Sequence, residues 1–117
     1  MHLIKLLVER GANINSRENG GASIFIAACV SGEMEIISYL FTSGANVYIK
    51  NNEGQTALHR ACHYNQIKVV NFLLKNTKLS LLTKDKMGSN CFHISARHMH
   101  ISLLRYMLKR FKKQAVL

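Results

Sequence analysis

The stretch GQTALHRACHYNQIKVVNFLL at residues 54–74 decides the fold, because the rest of the chain repeats it. A shift of thirty-three residues places residues 21–41 on this stretch, and a shift of thirty-four places residues 88–108 on it. Each copy holds a short apolar segment followed by a second segment whose apolar residues recur at helical spacing. A fixed period of this length predicts a solenoid, in which each two-helix unit packs against its neighbours.

Shorter motifs within the period resemble those of a known family. TALHRA at residues 56–61 resembles the T-P-L-H-x-A motif of ankyrin repeats. GANIN at 11–15 and GANVY at 44–48 are similar to the G-A-D-V-N segment that closes each ankyrin unit, and Asn51 and Asp85 stand where the hairpins of that family begin. The resemblance implies an all-α solenoid of stacked helix-turn-helix repeats joined by β-hairpin or loop tips.

The register of the repeats divides the chain into an ankyrin repeat domain over residues 1–111 and a short basic tail over 112–117. Neither end shows the polar outer face that usually terminates such an array, so we expect the chain to belong to a longer array or to pack against another chain. Within the domain, we expect a partial repeat at about 1–17, full repeats at 18–50 and 51–84, and a last repeat at 85–111 without a closing hairpin.

Composition limits the class of protein. The chain has 117 residues, enough for one domain with a core. It contains no run of eighteen apolar residues and no leader of a secretory type, so we expect neither a membrane span nor a signal peptide. Three cysteines, an odd number, argue against a secreted disulfide framework. We therefore expect an intracellular protein, cytoplasmic or nuclear, in which Cys29 and Cys62 are buried free thiols.

Positive charge is concentrated in the second half of the chain. The formal net charge is +10. Residues 1–53 carry four Lys or Arg against five Glu, whereas residues 54–117 carry twelve against Asp85 alone. A field of this sign raises encounter rates with acidic partners of any kind.

One short segment brings together four residues of types that bind metals: Cys91, His93, His98 and His100. Their spacing argues against a zinc site, because His98 and His100 would diverge by about 200 degrees on a helix and no C-x-x-C or H-x-x-x-H pair accompanies them. The sequence also lacks the motifs of phosphate-binding loops, dinucleotide folds, metalloproteases and serine hydrolases. We predict no catalytic residue, no cofactor and no metal.

His59 is predicted to have a structural role. Thr56 is an N-cap candidate at the start of the first helix of its repeat, and His59 lies three residues later, where its ring can bond the Thr56 hydroxyl. The same arrangement recurs in the last repeat with Asn90 as the cap.

The family resemblance implies that the partner contacts the hairpin tips and the exposed side of each first helix. We name this surface the contact face, and expect it to bind an acidic segment of another protein with Tyr64 and Met87 as its central apolar anchors. The alternative is a basic module that contacts nucleic acid or an anionic membrane through the C-terminal half and tail, although the cations at 109–113 equally fit a solvated helix end. The partner-binding residues predicted on the contact face are Arg17, Lys50, Asn52, Glu53, Gln55, His63, Tyr64, Lys84, Lys86, Met87, Arg97 and His98.

Overall fold

The structure, a computed structural model, describes the backbone of residues 2–115. Within that range it contains helices and no strand beyond an isolated antiparallel bridge between Arg17 and Ser23. This confirms the predicted all-α repeat solenoid. The helices are α1 (His2–Glu9), α2 (Ile24–Ser31), α3 (Met34–Thr42), α4 (Ala57–His63), α5 (Ile67–Asn76), α6 (Cys91–Arg97) and α7 (Ile101–Ala115).

The helices form a stack of pairs. Helices α2 and α3, α4 and α5, and α6 and α7 pack together within a repeat, while the first helices α2, α4 and α6 pack against one another in order. The result is an elongated body of 45 × 27 × 24 Å. No helix among residues 2–115 has both the length and the apolar character needed to cross a membrane.

Side-chain caps begin the three first helices. Ser23, Thr56 and Asn90 each adopt an extended backbone and accept a hydrogen bond from the backbone N–H three residues later. At Thr56 and Asn90 the histidine at that third position bonds back to the backbone of the cap, which completes a reciprocal capping box. The caps predicted at Thr56 and Asn90 are therefore confirmed, and Ser23 caps α2 in the same way. These caps fix where each first helix starts.

One apolar core runs along the stack. Phe25, Leu40, Leu58, Leu73 and Met107 are almost completely buried, and they belong to all three helix pairs. The thiols lie in the same core: Cys29, Cys62 and Cys91 are buried and unbridged, as predicted for the first two. Burial raises the pKa of the Cys29 thiol to about 12. The Cys29 thiol is therefore held in its unreactive protonated form.

The turn between the two helices of each repeat requires a left-handed residue. Gly32, Asn65 and Met99 occupy equivalent positions in successive repeats and have φ of 76°, 57° and 56°. Glycine and asparagine tolerate this conformation, whereas a residue with a longer side chain is strained by roughly 1–2 kcal/mol. The last repeat therefore contains local strain at Met99.

Exchanging the residues at two of these turns tests this strain. We expect Met99→Asn to raise the free energy of unfolding by about 1 kcal/mol, because the Met99 side chain is exposed and little apolar burial is lost. The matched variant Asn65→Met, also at an exposed position, should lower it by a similar amount. Urea unfolding followed by circular dichroism measures both, and identical stabilities for the two variants would contradict the assignment.

The last helix is longer than the repeat register predicts. Helix α7 continues to Ala115, so residues 112–115 extend the helix that the sequence placed before a separate tail. The remaining tail residues, 116 and 117, lie outside the described residues. The cations of this segment therefore stand on a helix rather than on an extended strand of chain.

Candidate partner-binding surface

The loops that precede the first helices, at residues 17–22, 50–55 and 84–89, are named the first, second and third tips. Hydrogen bonds join these tips in order into a continuous edge. Asn52 donates from its backbone N–H to Gly20 O at 3.0 Å and from its side chain to Asn19 O at 2.9 Å. Lys86 N–H donates to Glu53 O at 3.0 Å in the same way. Because these bonds hold the tips in register, the side chains between them are presented on a defined surface.

Glycine is required where the tips approach most closely. Gly21 has φ of 84°, and a Cβ atom built on it would lie 2.7 Å from the backbone nitrogen of Asn52. Any larger residue at this position would therefore push the two tips apart.

Each tip is closed by the residue at which the hairpin was predicted to begin. The Asn51 side chain accepts hydrogen bonds from the backbone N–H groups of Glu53 and Gln55, both at 3.0 Å. Asp85 does the same in the next repeat, accepting from Met87 at 2.9 Å and from Ser89 at 3.0 Å. Burial of Asp85 raises its carboxyl pKa, but these hydrogen bonds outweigh burial and leave the pKa below its ordinary value. The Asp85 carboxylate therefore forms its hydrogen bonds within the tip and is buried there.

The tip residues of the contact face are exposed. Lys50, Lys84 and Lys86 project from the second and third tips, and Glu53 is the acidic side chain beside them. Met87 is 86% exposed at the end of the third tip. A long apolar side chain surrounded by lysines suits contact with a partner that carries both apolar and acidic groups.

Two residues assigned to the contact face have different surroundings from those predicted. Gln55 is buried, with 9% of its surface exposed, because its side-chain oxygen accepts a hydrogen bond from Asn51 at 3.0 Å within the tip. Its exposure was predicted wrongly. Arg17 is exposed overall, but its guanidinium donates to the backbone oxygens of Gly21 and Lys50. It therefore ties the first tip to the second.

A second group of contact-face residues lies where the first helices end. His63 is the last residue of α4 and Tyr64 is its C-cap, while Arg97 and His98 take the same two positions on α6. Tyr64 is 45% exposed. The Arg97 guanidinium reaches back along α6 to bond Ser89 Oγ at 2.8 Å. That bond connects the helix-end group to the base of the third tip.

Sequence reasoning missed Arg60 as a member of this group. Its guanidinium lies over the Tyr64 ring at 5.1 Å from the centroid and donates to the Tyr64 hydroxyl at 3.3 Å. A second donor reaches Gln55 at 3.4 Å. The spacing of Arg60 and Tyr64, four residues apart at a helix end, is the sequence signal from which this pair could have been predicted.

The prediction that His98 and His100 diverge is wrong, because the two residues do not lie on one helix. Met99 between them is left-handed, and the turn brings their rings to 5.9 Å between centroids with an interplanar angle of 23°. Cys91 is buried, and His93 instead bonds the backbone of Asn90. The part of the chain that the structure describes contains no group of three or more His, Cys, Asp or Glu arranged to hold a metal.

His59 joins the middle repeat to the third. Its Nδ1 accepts from the Thr56 backbone N–H at 3.1 Å and lies 2.9 Å from the Thr56 hydroxyl oxygen. Because a carbonyl oxygen only accepts, the 2.8 Å contact of Nε2 with Thr83 O requires that Nε2 carry the hydrogen. The ring is completely buried, and burial lowers the pKa of His59 below 6.5 despite the opposing effect of the bond to Thr83. These contacts agree with the predicted structural role.

The buried neutral ring of His59 predicts a pH dependence of stability. Above pH of about 6.5 the ring is neutral in both folded and unfolded chains, and its full contribution to stability is present. As pH falls below that value the unfolded chain binds more protons, so stability decreases. We expect a lower melting temperature at pH 5.5 than at pH 7.5.

The control for this prediction comes from the preceding repeat, where Ile26 occupies the position equivalent to His59 and is buried. His59→Ile should be less stable overall, because Thr83 O loses its donor, yet its melting temperature should change less between the two pH values. Equal melting temperatures for the original chain at both pH values would show that His59 is not held neutral.

Comparison with known protein families agrees with the repeat structure. A family model described as ankyrin repeats, in three copies, matches residues 1–85. A search of curated proteins finds no match to the chain. Residues 86–111 lie beyond the matched range but carry the same capping box and helix pair as the unit before them. Ankyrin repeats are generally protein–protein interaction modules and typically not enzymes. The chain belongs to the ankyrin repeat family.

Proposed function

We propose that the chain binds an acidic segment of a partner protein through the contact face. The binding residues are those exposed on the tips and at the ends of the first helices. Lysines of the tips and Arg97 attract the carboxylates of the partner, while Tyr64 at the end of α4 and Met87 on the third tip supply apolar contact area.

The observation that carries this proposal is the placement of Asp85. It is the one carboxylate of residues 54–117, and it is buried and bonded within the third tip. Lys84 and Lys86 on either side of it are exposed. The positive field of the second half of the chain therefore faces solvent without an exposed acid from that half to offset it, which favours an acidic partner.

A second candidate function is contact with nucleic acid or an anionic membrane through helix α7. It is favoured by an open depression of about 750 Å³ on that helix. Leu108 and Phe111 line the depression together with the cations Arg105, Lys109 and Lys112. Apolar side chains flanked by cations suit an anionic surface.

The experiment that tests the proposal is a titration of the chain with a synthetic glutamate-rich peptide and with a single-stranded oligonucleotide, each at several salt concentrations. The proposal predicts binding of the peptide, with a loss on Tyr64→Ala that raised salt does not reproduce. Exclusive binding of the oligonucleotide with a steep salt dependence would instead support the second candidate.

A further inference from the structure

Three histidine rings meet at the boundary between the middle and last repeats. His63 ends α4, His98 caps α6, and His100 precedes α7. The ring centroids of His63 and His98 are 4.1 Å apart, and those of His98 and His100 are 5.9 Å apart. We name these three residues the histidine cluster. It lies beside Tyr64, whose ring centroid is 4.6 Å from that of His63.

A hydrogen bond across the repeat boundary fixes the cluster. His100 Nε2 lies 2.8 Å from the backbone oxygen of His63, and Nε2 must donate because the carbonyl only accepts. His63 is half-buried and His98 is exposed. The cluster is therefore held in place by the fold while remaining open to a ligand on the contact face.

The groups that interact electrostatically with His63 are two arginines and two histidines. Arg60 lies on the same helix and Arg97 on α6, while His98 and His100 lie in the turn after α6. Tyr64 adds a phenol, and the equivalent positions at the end of α2 are Val30 and Ser31, which carry no charge. Burial, followed by electrostatic repulsion from these four side chains, lowers the pKa of His63 below 6.5. A proton on His63 is therefore disfavoured while no anion faces the cluster.

We propose that binding of an acidic peptide at this end of the contact face is coupled to proton uptake by the histidine cluster, so that affinity rises as pH falls toward 6. The inference rests on the proposed function. A carboxylate placed within about 4–6 Å of an imidazole favours its charged form. By reciprocity, protonation must then strengthen binding of the carboxylate. The peptide keeps its charge in this range, since glutamate titrates near pH 4.3.

The magnitude follows from the number of protons. One proton completely taken up changes the affinity about tenfold per pH unit. We expect an increase of about tenfold in affinity for a glutamate-rich peptide between pH 7.5 and pH 6.0. Binding of the peptide by lysines alone would be nearly independent of pH here, because lysine titrates near pH 10.4.

The test uses the full chain and isothermal titration calorimetry with the glutamate-rich peptide at pH 7.5 and 6.0, in two buffers of different protonation enthalpy. The heat difference between the buffers counts the protons taken up. The variant His63→Gln/His98→Gln should lose most of the increase in affinity at pH 6.0, measured against its own affinity at pH 7.5, and most of the heat difference between the buffers. His93→Gln is the matched control, because glutamine at the third helical position retains a capping box and the residue lies outside the cluster. It should behave like the original chain.

Circular dichroism at pH 6.0 verifies that each protein is folded, which separates this effect from the titration of His59. The exposed substitution His98→Gln alone should give an intermediate increase, and it keeps the test decisive if the double variant unfolds. Binding that is equal at both pH values, or an undiminished increase in the folded His98→Gln variant or in the folded double variant, would overturn the inference and leave the proposed function standing. Absence of peptide binding at both pH values would overturn both.

Discussion

Replacing Leu58 with alanine is expected to lower the free energy of unfolding by about 3–5 kcal/mol. Leu58 is completely buried on α4, the first helix of the middle repeat, which packs against α2 on one side and α6 on the other. Truncation would leave a cavity in the core, and the neighbouring helices hold α4 in place, so the site cannot fully collapse into it. Because a domain of this size is stable by about 5–15 kcal/mol, the loss would be a large fraction of the total.

Urea unfolding followed by circular dichroism measures this effect. The control is Leu82→Ala, at a residue that is 50% exposed between α5 and the third tip, where we expect a change within about 0.5 kcal/mol. A change below about 1 kcal/mol for Leu58→Ala, with the control behaving as expected, would show that the first helices do not share one continuous core.

Much of the fold could be predicted from the sequence because each repeat starts its helices and closes its tips with the same short sequence signals. Thr56 and Asn90 begin helices for the same reason, since a short polar side chain accepts the first free backbone N–H. Gly11 is left-handed after α1, as its place after an apolar helical stripe predicts. Asn51 and Asp85 close the tips where the family pattern places them.

The helix-end part of the candidate site could not be predicted from periodicity. The angle expected between His98 and His100 assumed a continuous helix, but Met99 adopts the left-handed conformation that Gly32 and Asn65 take at equivalent turns. The repeat shifts of thirty-three and thirty-four residues already place these three positions on one another, so the turn at Met99 could have been predicted. The proximity of His63 to His98 was harder to predict, because it depends on how adjacent repeats stack.

The exposure of the residues assigned to the tips was predicted with one error, at Gln55. Its position next to exposed residues suggested exposure, yet its side chain bonds Asn51 and turns into the tip. At the C-terminal end, Arg110 was grouped with the cations at 109–113, which fit a solvated helix end. It is instead half-buried, donating to Asn71 at 3.0 Å and to the Tyr106 hydroxyl at 2.9 Å. The repeat pattern contained no information on these side-chain hydrogen bonds, whether they join residues four apart, as in Asn51–Gln55, or distant ones, as in Asn71–Arg110.

The second large effect is expected from reversing charge on the third tip. Lys84→Glu/Lys86→Glu should weaken binding of the glutamate-rich peptide at least about a hundredfold, since like charges facing a partner cost several kcal/mol. Both side chains are exposed, and the bond from Lys86 to Glu53 uses the backbone N–H, so the substitutions should leave the tip intact. Binding should therefore change without a comparable change in stability.

The matched control reverses two cations elsewhere. Lys109→Glu/Lys112→Glu changes the net charge by the same amount, and both residues are exposed on α7, away from the tips. Arg110 is left unchanged because of its bonds to Asn71 and Tyr106. Any difference between the two variants then reports the location of the charge rather than its total.

The most direct test of the central claim is a salt titration of binding for the original chain and these two variants, against the glutamate-rich peptide and the single-stranded oligonucleotide. We predict that the tip variant loses peptide binding at every salt concentration, whereas the α7 variant retains it. The anionic-surface alternative is correct if the α7 variant instead loses binding while the tip variant keeps it. In that case the slope of log affinity against log salt should become shallower by about 0.7–0.9 for each phosphate that is no longer neutralised. Equal losses in both variants would contradict the contact face as a site, because they would show a diffuse field.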